Sequence, residues 1–205
     1  KRFGISPTNT LGVSIPLVRA IAKKNKKNHA LALELWASGI HEARILAALV
    51  DDPKQVSVKQ MNEWAKEFDS WDVCDQVCAN LFDKTPWAYE KAVAWAQARE
   101  EFVKRAGFVL MAVLAVHDKK TGDEKFAAFL PLIKKHANDE RNFVRKAVNW
   151  ALRQIGKRNA RLNDAAIEIA KEIQCMNSKS AKWIAGDALR ELQGEGVKKK
   201  IERQR

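Results

Sequence analysis

Tyrosine is nearly missing from this chain, cysteine is sparse and long apolar runs are absent, and each shortage closes a possibility. One Tyr and three Cys occur among 205 residues. Cys74, Cys78 and Cys175 form an odd set without framework spacing, which argues against a disulfide-stapled secreted scaffold and makes the cytoplasm the expected setting. No apolar stretch approaches the ~20 residues that span a bilayer, so no membrane partner is expected. The visible start, Lys1-Arg2-Phe3-Gly4, has no secretory h-region or cleavage site. It begins abruptly, and N-terminal sequence before Lys1 is expected to be missing. No Gly-rich phosphate loop, GxSxG elbow or HExxH pair is present. His29, His41, His117 and His136 are scattered, and Cys74 and Cys78 lack the further ligands of a tetrahedral site. Neither a metal nor an organic cofactor is expected.

Strand signals are also scarce. Ala, Leu, Lys and Glu dominate with an apolar period near 3.6, which predicts an all-α chain of roughly eleven or twelve short helices. Pro16, Pro53 and Pro86 fall at predicted helix starts or turns, where a missing N–H costs least. No stretch resembles a long linker, so residues 1–205 are expected to form a single domain. Trp36, Trp64, Trp87 and Trp95 lie within apolar faces and are assigned to the core.

The helices repeat. Ala151-Leu152-Arg153-Gln154 returns 37 residues later as Ala188-Leu189-Arg190-Glu191. Phe102-Val103-Lys104-Arg105-Ala106 returns after 41 as Phe143-Val144-Arg145-Lys146-Ala147. His41-Glu42-Ala43-Arg44 and Asp72-Val73-Cys74-Asp75 fit the same phase. Helical pairs at this period predict an α-α superhelix, a solenoid of HEAT-like repeats in which each pair buries its apolar face on the next. Equivalent positions of successive second helices should then line one concave groove, and that register reads Arg44, Asp75, Arg105, Lys146 and Trp183.

Charge suggests what the groove meets. Lys plus Arg number 37 against 25 Asp plus Glu, a net +12. The plain account is a solvated basic surface; the sharper one is an electrostatic footprint for nucleic acid. Arg44, Arg105, Arg145, Lys146, Arg153 and Arg158 are the candidate phosphate contacts, because guanidinium forks suit phosphate. The tail Val197-Lys198-Lys199-Lys200-Ile201-Glu202-Arg203 reads as a solvated helix end or a non-specific DNA tether.

Within this basic register Trp71 and Asp75 stand out, an indole and a carboxylate one helical turn apart. A carboxylate near phosphates costs affinity, so it suggests attraction to transient positive charge, such as an oxocarbenium-like sugar. The faces of Trp71 and of Trp150, one turn after Lys146, would favour a cationic base or sugar. The structural alternative is that Asp75 pairs with Arg44 or Arg105 and holds neighbouring repeats together.

Four segments now carry a resemblance: Leu11-Gly12-Val13-Ser14-Ile15-Pro16-Leu17-Val18-Arg19, Ser70-Trp71-Asp72-Val73-Cys74-Asp75, Phe102-Val103-Lys104-Arg105-Ala106 and Lys146-Ala147-Val148-Asn149-Trp150-Ala151-Leu152-Arg153. In this order and spacing the chain resembles the AlkD-type DNA alkylation repair family, the HEAT-like-repeat DNA glycosylases, over nearly its whole length. The resemblance implies a monofunctional glycosylase of base excision repair. Its substrate would be duplex DNA bearing cationic N3- or N7-alkylated purines, such as 3-methyladenine and 7-methylguanine. It further implies that Asp75 is the catalytic aspartate, that Trp71 and Trp150 cradle the deoxyribose, and that Arg105 and Arg153 are groove cations. A monomer, bacterial-type and associated with the nucleoid when bound to DNA, is expected. The alternative from another class is a non-catalytic HEAT-like module that binds DNA or an acidic protein.

Overall fold

The computed structural model describes residues 9–203, so the opening run Lys1–Gly4 lies outside it. Every regular element among the described residues is helical, with thirteen α-helices and one 3-10 turn. None of these helices is long and apolar enough to cross a membrane. Where the sequence shows no linker, the chain divides into two compact units, Lys1–Ala88 and Tyr89–Arg205.

The first unit holds α1 (Ile15–Lys24), α2 (His29–Ala37), α3 (His41–Val50), α4 (Val58–Lys66), α5 (Trp71–Asn80) and the 3-10 turn Phe82–Lys84. Pro16 occupies the first turn of α1, where its missing N–H is harmless. Asn28 and Ser57 cap α2 and α4 by accepting the N–H groups of Leu31 and Gln60. Gly39, with φ +67°, provides the left-handed residue that ends α2 and lets the chain turn into α3. α3 packs on α1, α2 and α5. Its core includes Trp36 and Trp64, stacked with ring centroids 4.0 Å apart and planes 3° from parallel. Such an offset aromatic pair adds about 1 kcal/mol to the area it buries.

The second unit holds α6 (Ala88–Trp95, begun by the last residue of the first unit), α7 (Glu101–His117), α8 (Asp123–Ala127), α9 (Leu130–His136), α10 (Asn142–Gly156), α11 (Ala160–Gln174), α12 (Lys179–Leu192) and α13 (Glu195–Glu202). Every residue of α7 from Val103 to Ala115 is buried. α10 is the hub, packing on α7, α9, α11 and α12. Close approach requires glycine at one place above all: a Cβ on Gly107 of α7 would sit 2.2 Å from the backbone nitrogen of Ala96.

The repeat register is visible as contact. Phe102 and Phe143, equivalent in the 41-residue repeat, lie with ring centroids 5.4 Å apart. His41 and Asp72, first residues of α3 and the second residue of α5 respectively, are joined at 2.8 Å. Trp36, Trp64 and Trp95 are buried, in line with their core assignment. Trp87 corrects that assignment. It is 38% exposed, because it lies in the turn before α6 rather than on a packed helix face.

Candidate functional site

α5 is built to divide its side chains. Ser70 precedes it in extended conformation, so the helix starts at Trp71. Val73, Cys74, Val77 and Cys78 face inward and are fully buried. Trp71 and Asp75 share the other side, one turn apart, and both are half-buried. Burial pushes the Cys78 thiol up, with Cys74 and the carboxylates of Asp75 and Asp83 adding to the effect. Cys78 is therefore an inert core thiol. Among the described residues no group of three or more His, Cys, Asp or Glu is placed to hold a metal ion.

The neighbouring acid of this helix, Asp72, pairs with a histidine. Its Oδ2 lies 2.8 Å from Nε2 of buried His41. The hydrogen bond that His41 donates to the Asp72 carboxylate raises the His41 pKa, against the opposing effect of burial. Burial works to raise Asp72, but the hydrogen bond and charge of His41 hold it below the usual carboxylate range. The pair therefore fixes the first turn of α5 and with it the direction of Trp71. Beside it, the buried Glu42 carboxylate accepts the backbone N–H groups of Leu11, Gly12 and Val13 at 2.9, 2.7 and 3.2 Å. Gly12 makes that convergence possible by adopting φ +73°. Burial opposes ionisation of Glu42, and the backbone donors overcome it.

Arg44 does not bridge to Asp75. Its guanidinium donates to the carboxylate of Glu67 at 2.8 Å and to the Glu67 carbonyl at 3.1 Å, and lies 5.0 Å from the Trp36 ring centroid. Glu67 also accepts the indole N–H of Trp36. Arg44 thus ties α3 to the end of α4.

In the second unit the candidate cations separate into struts and surface groups. Arg105 is 5% exposed and donates to the Phe143 carbonyl at 2.6 Å, while its neighbour Lys104 pairs with Asp139 at 3.1 Å. Burial opposes ionisation of Asp139, yet Arg141 and Lys104 together hold it at about 2. Arg153 reaches from α10 to Glu191 and Asp187 on α12, at 2.6 and 3.3 Å. Arg158 is also largely withdrawn from solvent. It donates to the carbonyls of Ala115, Asp118 and Thr121 and stacks on Phe126, 4.0 Å from the ring centroid. These carbonyls belong to the end of α7 and the turn beyond it, so Arg158 serves as a helix cap supplied from another repeat. Its guanidinium is thereby withdrawn from the phosphate role expected of it.

Lys146 is exposed, and Trp150 is half-buried one turn later on α10. Arg145 lies over the ring of Trp183 at 5.1 Å, and Trp183 is itself 40% exposed on α12. Sequence reasoning missed the His41–Asp72 pair and the Glu42 cradle. The 31-residue phase that aligns α3 with α5 was a signal for the first. For the second, Gly12 offered only a hint of left-handed backbone.

The family model described as "DNA alkylation repair enzyme" matches residues 1–192. An uncharacterised protein of Listeria innocua serovar 6a is 26% identical over 165 residues, covering 79% of this chain and 71% of that protein. A solved structure, described as a new family of proteins related to the HEAT-like repeat DNA glycosylases with affinity for branched DNA structures, aligns with TM-score 0.73 at 24% identity. That alignment covers 91% of this chain and 84% of the other. The all-α, HEAT-like repeat fold expected from the repeats is therefore shown.

Proposed function

The chain belongs to the family of DNA alkylation repair enzymes, and from that premise we propose that it is a glycosylase releasing cationic N3- and N7-alkylated purines from duplex DNA. The observation that carries the proposal is the Trp71–Asp75 pair, an indole and a carboxylate one turn apart on one side of α5. The chemistry needs little else. An alkylated purine already bears positive charge, so it leaves without protonation by an acid. As the C1′–N bond breaks, the purine departs neutral with the bonding electron pair, and positive charge develops on the deoxyribose. The Asp75 carboxylate stabilises that charge. Water adds to C1′, passing its proton to Asp75 and then to solvent, and leaves an abasic site. Trp71 offers a π face to the sugar beside the acid.

DNA contact is assigned to the second unit's accessible groups, Lys146, Trp150, Arg145 and Trp183. Arg105 and Arg153 act by holding α10 and its neighbours in place. A second reading, a non-catalytic binder, is favoured by the solved relative described as having affinity for branched DNA. Methylated duplex DNA separates the two, with free 3-methyladenine and 7-methylguanine quantified for the wild type and for Asp75→Asn. The glycosylase reading expects release that falls on the order of 10²-fold in the variant while DNA affinity is retained. Binding without release from the wild type would leave the binder.

A further inference from the structure

We propose that the outward face of α12, centred on Trp183, is a stacking site for an unpaired DNA base. The inference rests on the reading that this chain binds DNA, and it adds a second recognition element, carried by the second unit.

Trp36, Trp64 and Trp95 are between 4% and 7% exposed, whereas Trp183 leaves 40% of its surface in solvent on a regular helix. An indole left uncovered forgoes a large part of the burial energy available to it. It is also held ready. Arg145 reaches from α10 to lie over the ring, and its terminal nitrogen is anchored by Asn142 at 3.3 Å. One turn beyond Trp183 is Gly186, where an added Cβ would meet nothing within 4 Å. The helix surface beside the ring is therefore clear of side chains from that position.

The two helices that meet at this ring, α10 and α12, carry exposed cations. Lys146, Lys179, Lys182 and Arg190 are exposed. The nearby acids are already answered. Asp187 pairs with Arg153 and Arg190 and accepts from Asn149, and Glu140 accepts from Ser178 and from the Ser180 N–H. An aromatic plane on helices that carry exposed cations suits a ligand with a flat π face next to phosphate, which is a nucleotide. In a paired duplex the base faces are covered by their neighbours. Only a base at a bulge, flap or gap presents a face to Trp183, so the site discriminates for unpaired bases and not for sequence.

The test uses unmodified DNA, so that it does not depend on excision. Affinities for a duplex with a one-nucleotide bulge and for the fully paired duplex are measured by fluorescence anisotropy at one fixed salt concentration. The wild type is expected to favour the bulge by roughly tenfold, the scale of one base–aromatic stack. Trp183→Ala should bring the ratio to about one, and Trp183→Phe should restore most of it. Lys182→Gln should weaken both duplexes alike and preserve the ratio. No wild-type preference, or a preference that survives Trp183→Ala, overturns the stacking site. Bulge preference in a protein that releases no alkylpurine would keep this inference and sink the glycosylase reading. Excision without the preference would do the reverse.

Discussion

The two units of this chain use charge in different ways. Residues 1–88 contain 12 Lys plus Arg and 10 Asp plus Glu, whereas residues 89–205 contain 25 and 15. Nearly all of the excess therefore belongs to the second unit. The first has helices of 9 or 10 residues and settles its polar groups internally, through His41–Asp72, Arg44–Glu67 and the cradle around Glu42. The second has helices of up to 17 residues and spends several arginines as struts, yet keeps cations at its surface. The lesson is a division of labour. On the proposed reading, attraction to a polyanion belongs to the unit where cations outnumber acids, and the candidate acid belongs to the unit whose charge is nearly balanced.

Glycine substitutions probe the contrast most severely. Gly107→Ala drives a methyl into the backbone at Ala96, so the second unit should lose about 2–3 kcal/mol, read as a lower urea midpoint. Gly39→Ala meets no atom within 4 Å and strains only its φ of +67°, so the first unit should lose about 1 kcal/mol. Equal losses would mean that tight packing is not peculiar to the second unit. Charge removal comes next. Lys146→Gln with Lys182→Gln should weaken duplex binding several-fold and flatten the dependence of log affinity on log salt by roughly 2. Lys23→Gln with Lys24→Gln, at the exposed end of α1, should leave that slope nearly unchanged. If both pairs lower the slope equally, the division of charge carries no functional weight.

The smallest effect concerns pH. His41 has a raised folded pKa, so the stability it contributes is complete below its unfolded value near 6.5 and disappears as pH rises through the folded value. Asp72 has a lowered pKa, so its share is present above the usual carboxylate value and is lost as pH falls through the folded one. The pair therefore stabilises the first unit across mildly acidic pH. On going from about pH 6 to about pH 8 the wild type should lose more stability than His41→Gln. Denaturant melts at the two pH values would show it, and parallel behaviour of the two proteins would exclude the linkage.

Much of this organisation is legible in the sequence where it depends on period. The repeat phase that aligned Phe102 with Phe143 and His41 with Asp72 reappears as side-chain contact. The shared side of Trp71 and Asp75 follows from their spacing of four. What period does not reveal is the fate of an individual cation. Arg145 and Arg153 occupy one helix two turns apart, but the first lies against an exposed indole and the second is claimed by two carboxylates on α12. Arg158 sits in a basic tract that resembles a surface, and its partners are carbonyls some 40 residues earlier in the chain. Trp87 escaped the core because a turn, not a helix face, carries it. Each outcome was decided by a partner from a neighbouring repeat, which local sequence does not name.

The cradle around Glu42 has a consequence for the segment that enters the first unit. Leu11, Gly12 and Val13 direct three amides at a carboxylate as they would at a bound anion, except that the anion belongs to the same polypeptide. The segment is in effect a tethered ligand, held at the millimolar effective concentration typical of short intramolecular connections. Leu11 and Val13 also line an apolar hollow of 390 Å³ with Val18, Ile21, Leu35 and Leu46. One ionised side chain thus governs both an attachment and access to that hollow. Cleavage of the chain between the segment and α1 would turn a permanent fixture into an exchangeable peptide, bound only as tightly as its own few contacts allow.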